Sequence, residues 1–210
     1  MNLKKVLVLS PHTDDGELGA GGTIARLLEE GKDLYYVAFS GCETSVPNGL
    51  PKDILRKECM KSTKVMGIPP EKVTLLFYQV RTFPDHRQQI LEDLVKLKNQ
   101  LNPELVLVPS SQDVHQDHGT IYHEALRAFK REASIWGYEL PWNNVSFTTE
   151  IFVRLKPEHL EKKLLALKEY ASQKERGYMN EKNTRSLCCT RGAQLDTEYA
   201  ETFELIRLIY

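Results

Sequence analysis

Short apolar runs alternate with segments of helical periodicity along the first half of this sequence. Apolar runs without polar alternation, typical of strands covered on both faces, occupy residues 6–9, 34–39, 73–78 and 105–108. Between them, helical spacing of apolar residues predicts helices over 23–30, 52–66 and 88–99, and the first two end at Gly31 and Gly67. Parallel strands need crossover connections, which are usually helices. The pattern therefore predicts a Rossmann-like α/β fold, with a mostly parallel sheet and helices on both faces.

The second half continues with less regular elements. We expect a helix over 119–131, a loop over 136–143, a strand over 145–155 and a helix over 158–172. The last segment, 203–210, has a pattern that fits either a strand or a helix. Because no repeat or linker-like change of composition interrupts the chain, residues 1–210 are predicted to form a single domain.

Composition and charge narrow the classes of partner. Lys and Arg number 28 against 29 Asp and Glu, a net charge of -1, which predicts binding to neither nucleic acid nor membrane. The apolar run at 6–9 is shorter than a secretory signal, and no run approaches the roughly 18 residues of a membrane helix. We therefore expect a cytoplasmic protein with a small-molecule substrate and reduced cysteines. Homo-oligomerisation stays open.

Two clusters of metal-binding residue types follow predicted strands. Residues 11–15 (PHTDD) follow the first strand, and residues 115–118 (HQDH) follow the fourth. Ligands of open α/β sheets bind outside the carboxyl ends of the strands, so the two clusters can meet in one site. A catalytic zinc has three protein ligands and leaves one position to water. His12, Asp15 and His118 supply such a set, which predicts one zinc ion per chain.

The remaining residues of the two clusters suit acid and base catalysis. Asp14, adjacent to the ligand Asp15, is placed to take a proton from water as general base. His115, as an imidazolium, would stabilise the oxyanion of a tetrahedral intermediate and protonate the leaving group. Asp117 either orients His115 and raises its pKa, or caps the helix that begins near Gly119.

With these motifs, the chain resembles the PIG-L family of zinc-dependent de-N-acetylases, also called LmbE-like proteins. The similarity rests on the two clusters and on residues 17–25 (ELGAGGTIA), with weaker matches at Arg56, Glu58 and residues 170–173, 191–192 and 199–201. The resemblance implies hydrolysis of the acetamide of an N-acetylglucosamine-type sugar. It also implies zinc at His12, Asp15 and His118, with Asp14 as base.

The sequence departs from the family pattern at three places. Thr13 stands where proline is usual, and Gly16 stands where an acidic residue is usual. These departures imply a looser backbone for residues 11–16, which we call the metal loop. Neither change removes a ligand. Residues 40–45 replace the arginine-rich loop of many relatives, so the identity of the sugar is not specified.

Candidate substrate contacts lie outside the two clusters. A guanidinium can hold sugar hydroxyls or a phosphate, so Arg56 and Arg81 are candidates, although surface ion pairs are an equally good alternative. Glu139 is expected to line the pocket. The aromatic residues near it either stack on a sugar or base, or pack in the core: Trp136, Tyr138 and Trp142.

Other functions fit the sequence less well. A dinucleotide-binding module would need G-x-G-x-x-G, which Gly19, Gly21 and Gly22 do not form. A metal-dependent phosphohydrolase commonly holds two ions and needs more acidic ligands. A binding protein without activity would need neither Asp14 nor His115. Hydrolysis of a different amide remains an alternative.

Overall fold

Seven strands form one sheet in the computed structural model, which describes residues 3–210. The strands are β1 (Lys5–Ser10), β2 (Asp33–Ala38), β3 (Val73–Leu75), β4 (Leu105–Pro109), β5 (Ser134–Tyr138), β6 (Ile151–Leu155) and β7 (Tyr199–Arg207). Their order is β3-β2-β1-β4-β5-β7-β6. Strands β1 to β5 are parallel, and β7 is antiparallel to both of its neighbours. The parallel part has the 3-2-1-4-5 order of the Rossmann fold.

Helices cover both faces of the sheet. They are α1 (Asp15–Glu29), α2 (Ile54–Met66), α3 (Arg87–Leu101), α4 (Gln116–Phe129), α5 (Pro157–Lys168) and α6 (Glu181–Ala193). On β1, Val6 and Val8 pack with residues of α1, α2 and α5, whereas Leu7 and Leu9 pack with α3 and α4. Both side-chain sets are buried, which explains why this strand has no polar alternation.

The predicted fold class is confirmed. The differences between the predicted and the observed helices and strands lie mostly in the second half of the chain. The segment predicted as a loop over 136–143 begins within β5, whose five residues are all buried. The ambiguous last segment belongs to a strand, β7, and the strand predicted over 145–155 is limited to β6. Helix α6 was not predicted because its sequence is polar, with few apolar residues at helical spacing.

Helix α1 begins at Asp15, eight residues earlier than predicted, and contains the glycines of residues 16–22. Glycine normally weakens a helix, but here it allows close packing. A Cβ atom at Gly19 would lie 2.3 Å from the ring of Tyr138, and one at Gly21 would lie 2.7 Å from the stem of Lys163. The glycines therefore bring α1 close to β5 and α5.

A buried ion pair holds α1 against α5 and β7. The ammonium of Lys163 donates to Glu201 and to the carbonyl of Leu18, each at 2.7 Å. The Glu201 carboxylate also accepts from the backbone N–H groups of Gly22 and Thr23, at 2.9 and 2.7 Å. Buried charges are tolerated when they are paired and hydrogen-bonded, as these are. The pair thus fixes the helix that begins at Asp15.

The lengths of the helices and the state of the cysteines complete the description of the fold. Across residues 3–210, every helix is too short or too polar to cross a bilayer. Cys42, Cys59 and Cys188 are buried, Cys189 is exposed, and all four are free thiols.

Gly19→Ala and Gly119→Ala are expected to change stability in opposite directions. At Gly19 the added methyl collides with Tyr138, which should cost about 1–3 kcal/mol of unfolding free energy. At Gly119, inside α4, nothing lies within 4 Å of the new methyl, so the gain in helix propensity should stabilise by about 0.5–1 kcal/mol. Urea unfolding followed by circular dichroism measures both; equal effects would contradict the packing role of Gly19.

Candidate active site

The two sequence clusters meet at the carboxyl edge of the sheet. Strands β1 and β4 are parallel neighbours, and the residues that follow them enter α1 and α4. A cavity of about 210 Å³ opens at this edge. It is lined by residues of both clusters and of four further loops, among them His12, Asp14, Asp15, His115, His118, Cys42, Arg81, Asn143, Gln173, Arg176 and Tyr178.

Three side-chain atoms form a tight triangle at this cavity. His12 Nδ1 lies 3.0 Å from Asp15 Oδ2, and His118 Nε2 lies 3.2 Å from both atoms. A tetrahedral zinc with bonds of about 2.0–2.1 Å separates its ligand atoms by about 3.4 Å. The three donor atoms therefore have the chemical types and the spacing of one face of a tetrahedral metal site.

Two carboxylates orient the imidazoles of this triangle. His12 Nε2 lies 3.0 Å from Asp117 Oδ2, and His118 Nδ1 lies 2.7 Å from Asp113 Oδ2. A proton on each of these outward nitrogens leaves the lone pair of the other nitrogen facing Asp15. Histidine ligands of metals commonly have such a carboxylate partner. Sequence reasoning missed Asp113, whose role depends on a contact made only after folding.

The electrostatics of the triangle favour a cation. Burial disfavours protonation of His12 and His118, but Asp15 and the outer carboxylates outweigh it and raise the pKa values to about 9 and about 10. Burial likewise opposes ionisation of Asp15, yet the two imidazoles hold the pKa of its carboxyl well below the usual range. Negative charge is thus concentrated where a metal ion would bind, and the donor set fits zinc.

His115 lies at the edge of the same site. A ring nitrogen of His115 is within 4.8 Å of ligand atoms of both His12 and His118, so a metal could also approach these three imidazoles. However, His115 Nδ1 accepts a hydrogen bond from the backbone N–H of Asp117, at 3.2 Å. The tighter set, with shorter distances between donor atoms, contains Asp15 instead of His115.

Asp14 is a buried carboxylate that lines the cavity. It is the residue preceding α1, but its side chain makes no capping hydrogen bond to the helix. Burial and the neighbouring Asp15 raise the pKa of Asp14 to about 7. A carboxyl group with a pKa near neutrality can both accept and return a proton.

The geometry corrects two expectations about Asp117 and His115. The carboxylate of Asp117 contacts His12 and the backbone N–H groups of Arg81 and Phe83, not the ring of His115. The residue that caps α4 is His115. Asp117 does favour protonation of His115, but burial and the charges of His118 and His12 outweigh it and lower the pKa of His115 to about 4. The ring is therefore neutral at pH 7.

A buried hydrogen-bonded cluster supports the metal loop from below. The hydroxyl of Tyr170 lies 2.7 Å from the carbonyl oxygen of Thr13 and 3.0 Å from the carboxylate of Glu17. The hydroxyl of Tyr36 contacts the same two groups, and Ser62 donates to Glu17 at 2.7 Å. Thr13, between His12 and Asp14, is thereby anchored to α1, β2 and the segment after α5, so the loop is fixed despite lacking proline.

Only some of the residues that were expected to contact the substrate line the cavity. Arg81 does so, with a left-handed backbone (φ 70°) whose N–H donates to Asp117. Arg56 is instead engaged by Glu43 at 2.6 Å and lies 3.8 Å over the ring of Phe77. The prediction of Arg56 as a substrate contact therefore has no support in the geometry.

Glu139 and two of the aromatic residues are also placed away from the cavity. Glu139 pairs with Arg191, with Nε to Oε2 at 3.0 Å, and the pair lines a separate small void. Trp136 and Tyr138 are buried in the core, whereas Trp142 lines the cavity at the two histidine clusters. Glu139 was expected at the pocket because β5 was predicted as a loop.

Several cavity residues were not identified from the sequence. Gln173, Arg176 and Tyr178 come from the irregular segment after α5, and Asn143 comes from the loop after β5. Glu58 holds the first of these segments, because its carboxylate accepts from the backbone and hydroxyl of Ser172. The weak family matches at Glu58 and residues 170–173 were the signal in the sequence that could have identified this segment as part of the site.

Comparison with known proteins gives consistent matches. Residues 7–129 match the family described as PIG-L, GlcNAc-PI de-N-acetylase. The chain is 29% identical over 173 residues to the uncharacterized deacetylase YaiS of Escherichia coli, covering 80% of this chain and 91% of that protein. It is 26% identical over 196 residues to the probable N-acetyl-alpha-D-glucosaminyl L-malate deacetylase 2 of Bacillus anthracis, covering 82% of each.

A solved structure has a similar fold. The N,N'-diacetylchitobiose deacetylase of Pyrococcus horikoshii superposes with a TM-score of 0.82, covering 98% of this chain and 84% of that one. The two sequences are 22% identical, so this likeness concerns the fold.

Asp113→Asn is expected to weaken zinc binding by about 10–100-fold, because the variant loses the charge that orients His118. The asparagine can still accept the backbone N–H of His115, so the loop should stay in place. Competition with a chromogenic chelator measures the affinity. Asp85→Asn, at an exposed position of the short 3-10 helix Phe83–His86, is the matched control and should bind zinc as the parent does. Equal affinity of both variants would contradict the role of Asp113.

Tyr170→Phe is expected to lower the free energy of unfolding by about 1–3 kcal/mol, since it removes a buried donor from Thr13 and Glu17. Tyr210→Phe, at a fully exposed position, should leave stability unchanged. Urea unfolding of the two variants and the parent provides the comparison. A Tyr170→Phe protein as stable as the parent would mean that the cluster does not hold the loop.

Proposed function

Because this chain belongs to the PIG-L family of de-N-acetylases, we propose that it is a zinc-dependent hydrolase of N-acetylamino sugars. The substrate is an N-acetylglucosamine-type sugar or its conjugate, from which the enzyme releases acetate and leaves a free amine. The observation that carries this proposal is the triangle of His12, Asp15 and His118 beside Asp14 in one cavity. The relatives' names support the substrate class, since two of them are deacetylases of N-acetylated sugar compounds.

His12, Asp15 and His118 would hold the metal ion through Nδ1, Oδ2 and Nε2 respectively. When bound, zinc supplies a Lewis acid that polarises the acetyl carbonyl and lowers the pKa of water to about 7. Asp113 and Asp117 keep the two imidazoles in the tautomers that leave these nitrogens free to bind. Asp117 is thus proposed as a positioning residue.

Asp14 is the proposed general base. Its carboxylate takes one proton from the attacking water while the water oxygen bonds to the acetyl carbon. When the carbon–nitrogen bond breaks, Asp14 returns this proton to the amine nitrogen, so that protons balance over the reaction. The raised pKa of Asp14, about 7, suits both transfers near neutral pH.

His115 is the proposed oxyanion stabiliser. Since its Nδ1 accepts from the backbone, the neutral ring carries its proton on Nε2 and can donate it as a hydrogen bond to the carbonyl oxygen. Loss of one such donor typically costs about 10²–10³-fold in rate. With its lowered pKa, His115 is a weaker candidate for the acid, and we assign that step to Asp14.

Arg81 is proposed to contact the sugar. Its guanidinium makes no ion pair with any residue of the described chain, and its backbone is fixed by Asp117 and Gln116. A guanidinium suits hydroxyl and anionic oxygens equally. Arg176 lines the cavity as well and offers a second such group.

Asp14→Asn should retain about one zinc per chain and lose at least about 100-fold in deacetylation rate, because it removes the base but none of the ligands. Metal content by mass spectrometry and acetate release from N-acetylglucosamine conjugates measure the two properties. Asp196→Asn, on an exposed turn, is the matched control and should behave as the parent does.

His118→Ala is expected to lose zinc as well as activity, because it removes a proposed metal ligand. If Asp14→Asn releases acetate at the parent rate, the base is a different group. If His118→Ala binds zinc as tightly as the parent, the proposed ligand set is wrong.

A further inference from the structure

A second cavity lies beside the catalytic one and is larger. It encloses about 710 Å³, whereas the catalytic cavity encloses about 210 Å³. Small-molecule sites are commonly about 300–1,000 Å³, so the catalytic cavity alone is small for a conjugated sugar. We name the larger one the α6 cavity, because helix α6 supplies most of one wall, with Asn183, Thr184, Ser186, Leu187 and Thr190.

The two cavities have a common wall. Trp142 and Tyr178 line both of them, and their rings are stacked with centroids 4.8 Å apart and planes 20° apart. Trp142 is 43% exposed, although it is a large aromatic residue. A ligand that extends from the catalytic cavity into the α6 cavity therefore passes these two aromatic side chains.

Within the described part of the chain, no unpaired charged side chain lines the α6 cavity. Its one charged lining residue is Lys163, which is buried and whose ammonium donates to Glu201 and to the carbonyl of Leu18. The rest of the lining is apolar or carries neutral hydroxyl and amide groups. A charged ligand would lose hydration here without gaining an ionic partner, which is costly.

The charged groups lie on the catalytic side. Arg81 and Arg176 line the catalytic cavity, and within residues 3–210 neither forms an ion pair. An anionic substituent would be held there. An apolar substituent has its counterpart in the α6 cavity, which Leu18, Pro141 and Leu187 line.

We propose that the α6 cavity binds the aglycone of the substrate, and that this aglycone is an uncharged apolar group, an alkyl chain or an aryl ring. The inference rests on the proposed deacetylase function and narrows its substrate class. The acetamide is bound at the catalytic cavity, and the group attached to the sugar extends past Trp142 and Tyr178 into the α6 cavity.

The test is a matched series of N-acetylglucosaminides that carry methyl, butyl, hexyl or 5-carboxypentyl groups. Each buried methylene should raise kcat/KM by about fourfold, so hexyl should exceed methyl at least about tenfold even with partial burial. The carboxypentyl compound has a chain of nearly the same length with a terminal charge and should react more slowly than the hexyl compound.

Ser186→Trp is designed to fill the α6 cavity and should reduce the ratio of hexyl to methyl kcat/KM to about one. Cys189→Trp places the same residue on an exposed position of α6 that does not line the cavity, and it should keep the parent ratio. Circular dichroism verifies that both variants are folded.

A binding measurement on the parent protein does not depend on catalysis or on a filled cavity. The chain has two tryptophans, of which Trp136 is buried in the core and Trp142 lines the cavity. Titration with hexyl glucoside, which has no acetamide, should change the emission of Trp142 with saturation. The change should persist in Trp136→Phe and be lost in Trp142→Phe.

The outcomes separate the two proposals. Acetate release at equal kcat/KM from all four glycosides, without a change in emission, overturns the apolar aglycone and leaves the deacetylase function standing. A preference for the carboxypentyl compound also overturns it. Failure to release acetate from every glycoside by the zinc-loaded parent overturns the deacetylase function, and with it the assignment of an aglycone.

Discussion

The burial of negative charge around two imidazoles is the constraint on which this structure depends. Asp15, Asp113 and Asp117 are all buried within hydrogen-bond distance of His12 or His118. Carboxylates removed from water need positive partners, and the rings of His12 and His118 lie within 3.2 Å of these three carboxylates. Protonation of His12 and His118 can balance this negative charge, as the raised pKa values of both histidines indicate. The geometry of His12 Nδ1, His118 Nε2 and Asp15 Oδ2 also fits a divalent metal ion.

This arrangement is held by contacts from distant parts of the chain. The glycines of α1 allow that helix to approach β5 and α5, and the pair of Lys163 and Glu201 bonds to its backbone. In the metal loop, the carbonyl oxygen of Thr13 accepts hydrogen bonds from the hydroxyls of both Tyr36 and Tyr170. A loop fixed by tertiary contacts needs less rigidity in its own sequence, which explains how threonine can replace proline here.

The sequence predicted the parts of the site that depend on local order along the chain. Apolar strands followed by histidine clusters placed both clusters at one sheet edge, and the family resemblance is confirmed by the comparison. Contacts between distant residues could not be predicted: Arg56 is engaged by Glu43, and Glu139 by Arg191. For the same reason Asp117 was assigned to the adjacent His115, whereas folding brings it to His12, 105 positions away.

The most direct test of the account is the position of the metal ion. Crystals of the zinc-loaded protein, measured at the zinc absorption edge, give an anomalous difference peak that identifies the ion as zinc and locates it. We expect one peak per chain, about 2.0–2.2 Å from His12 Nδ1, Asp15 Oδ2 and His118 Nε2. A peak bonded to His115 in place of Asp15, or one outside this cavity, would contradict the account.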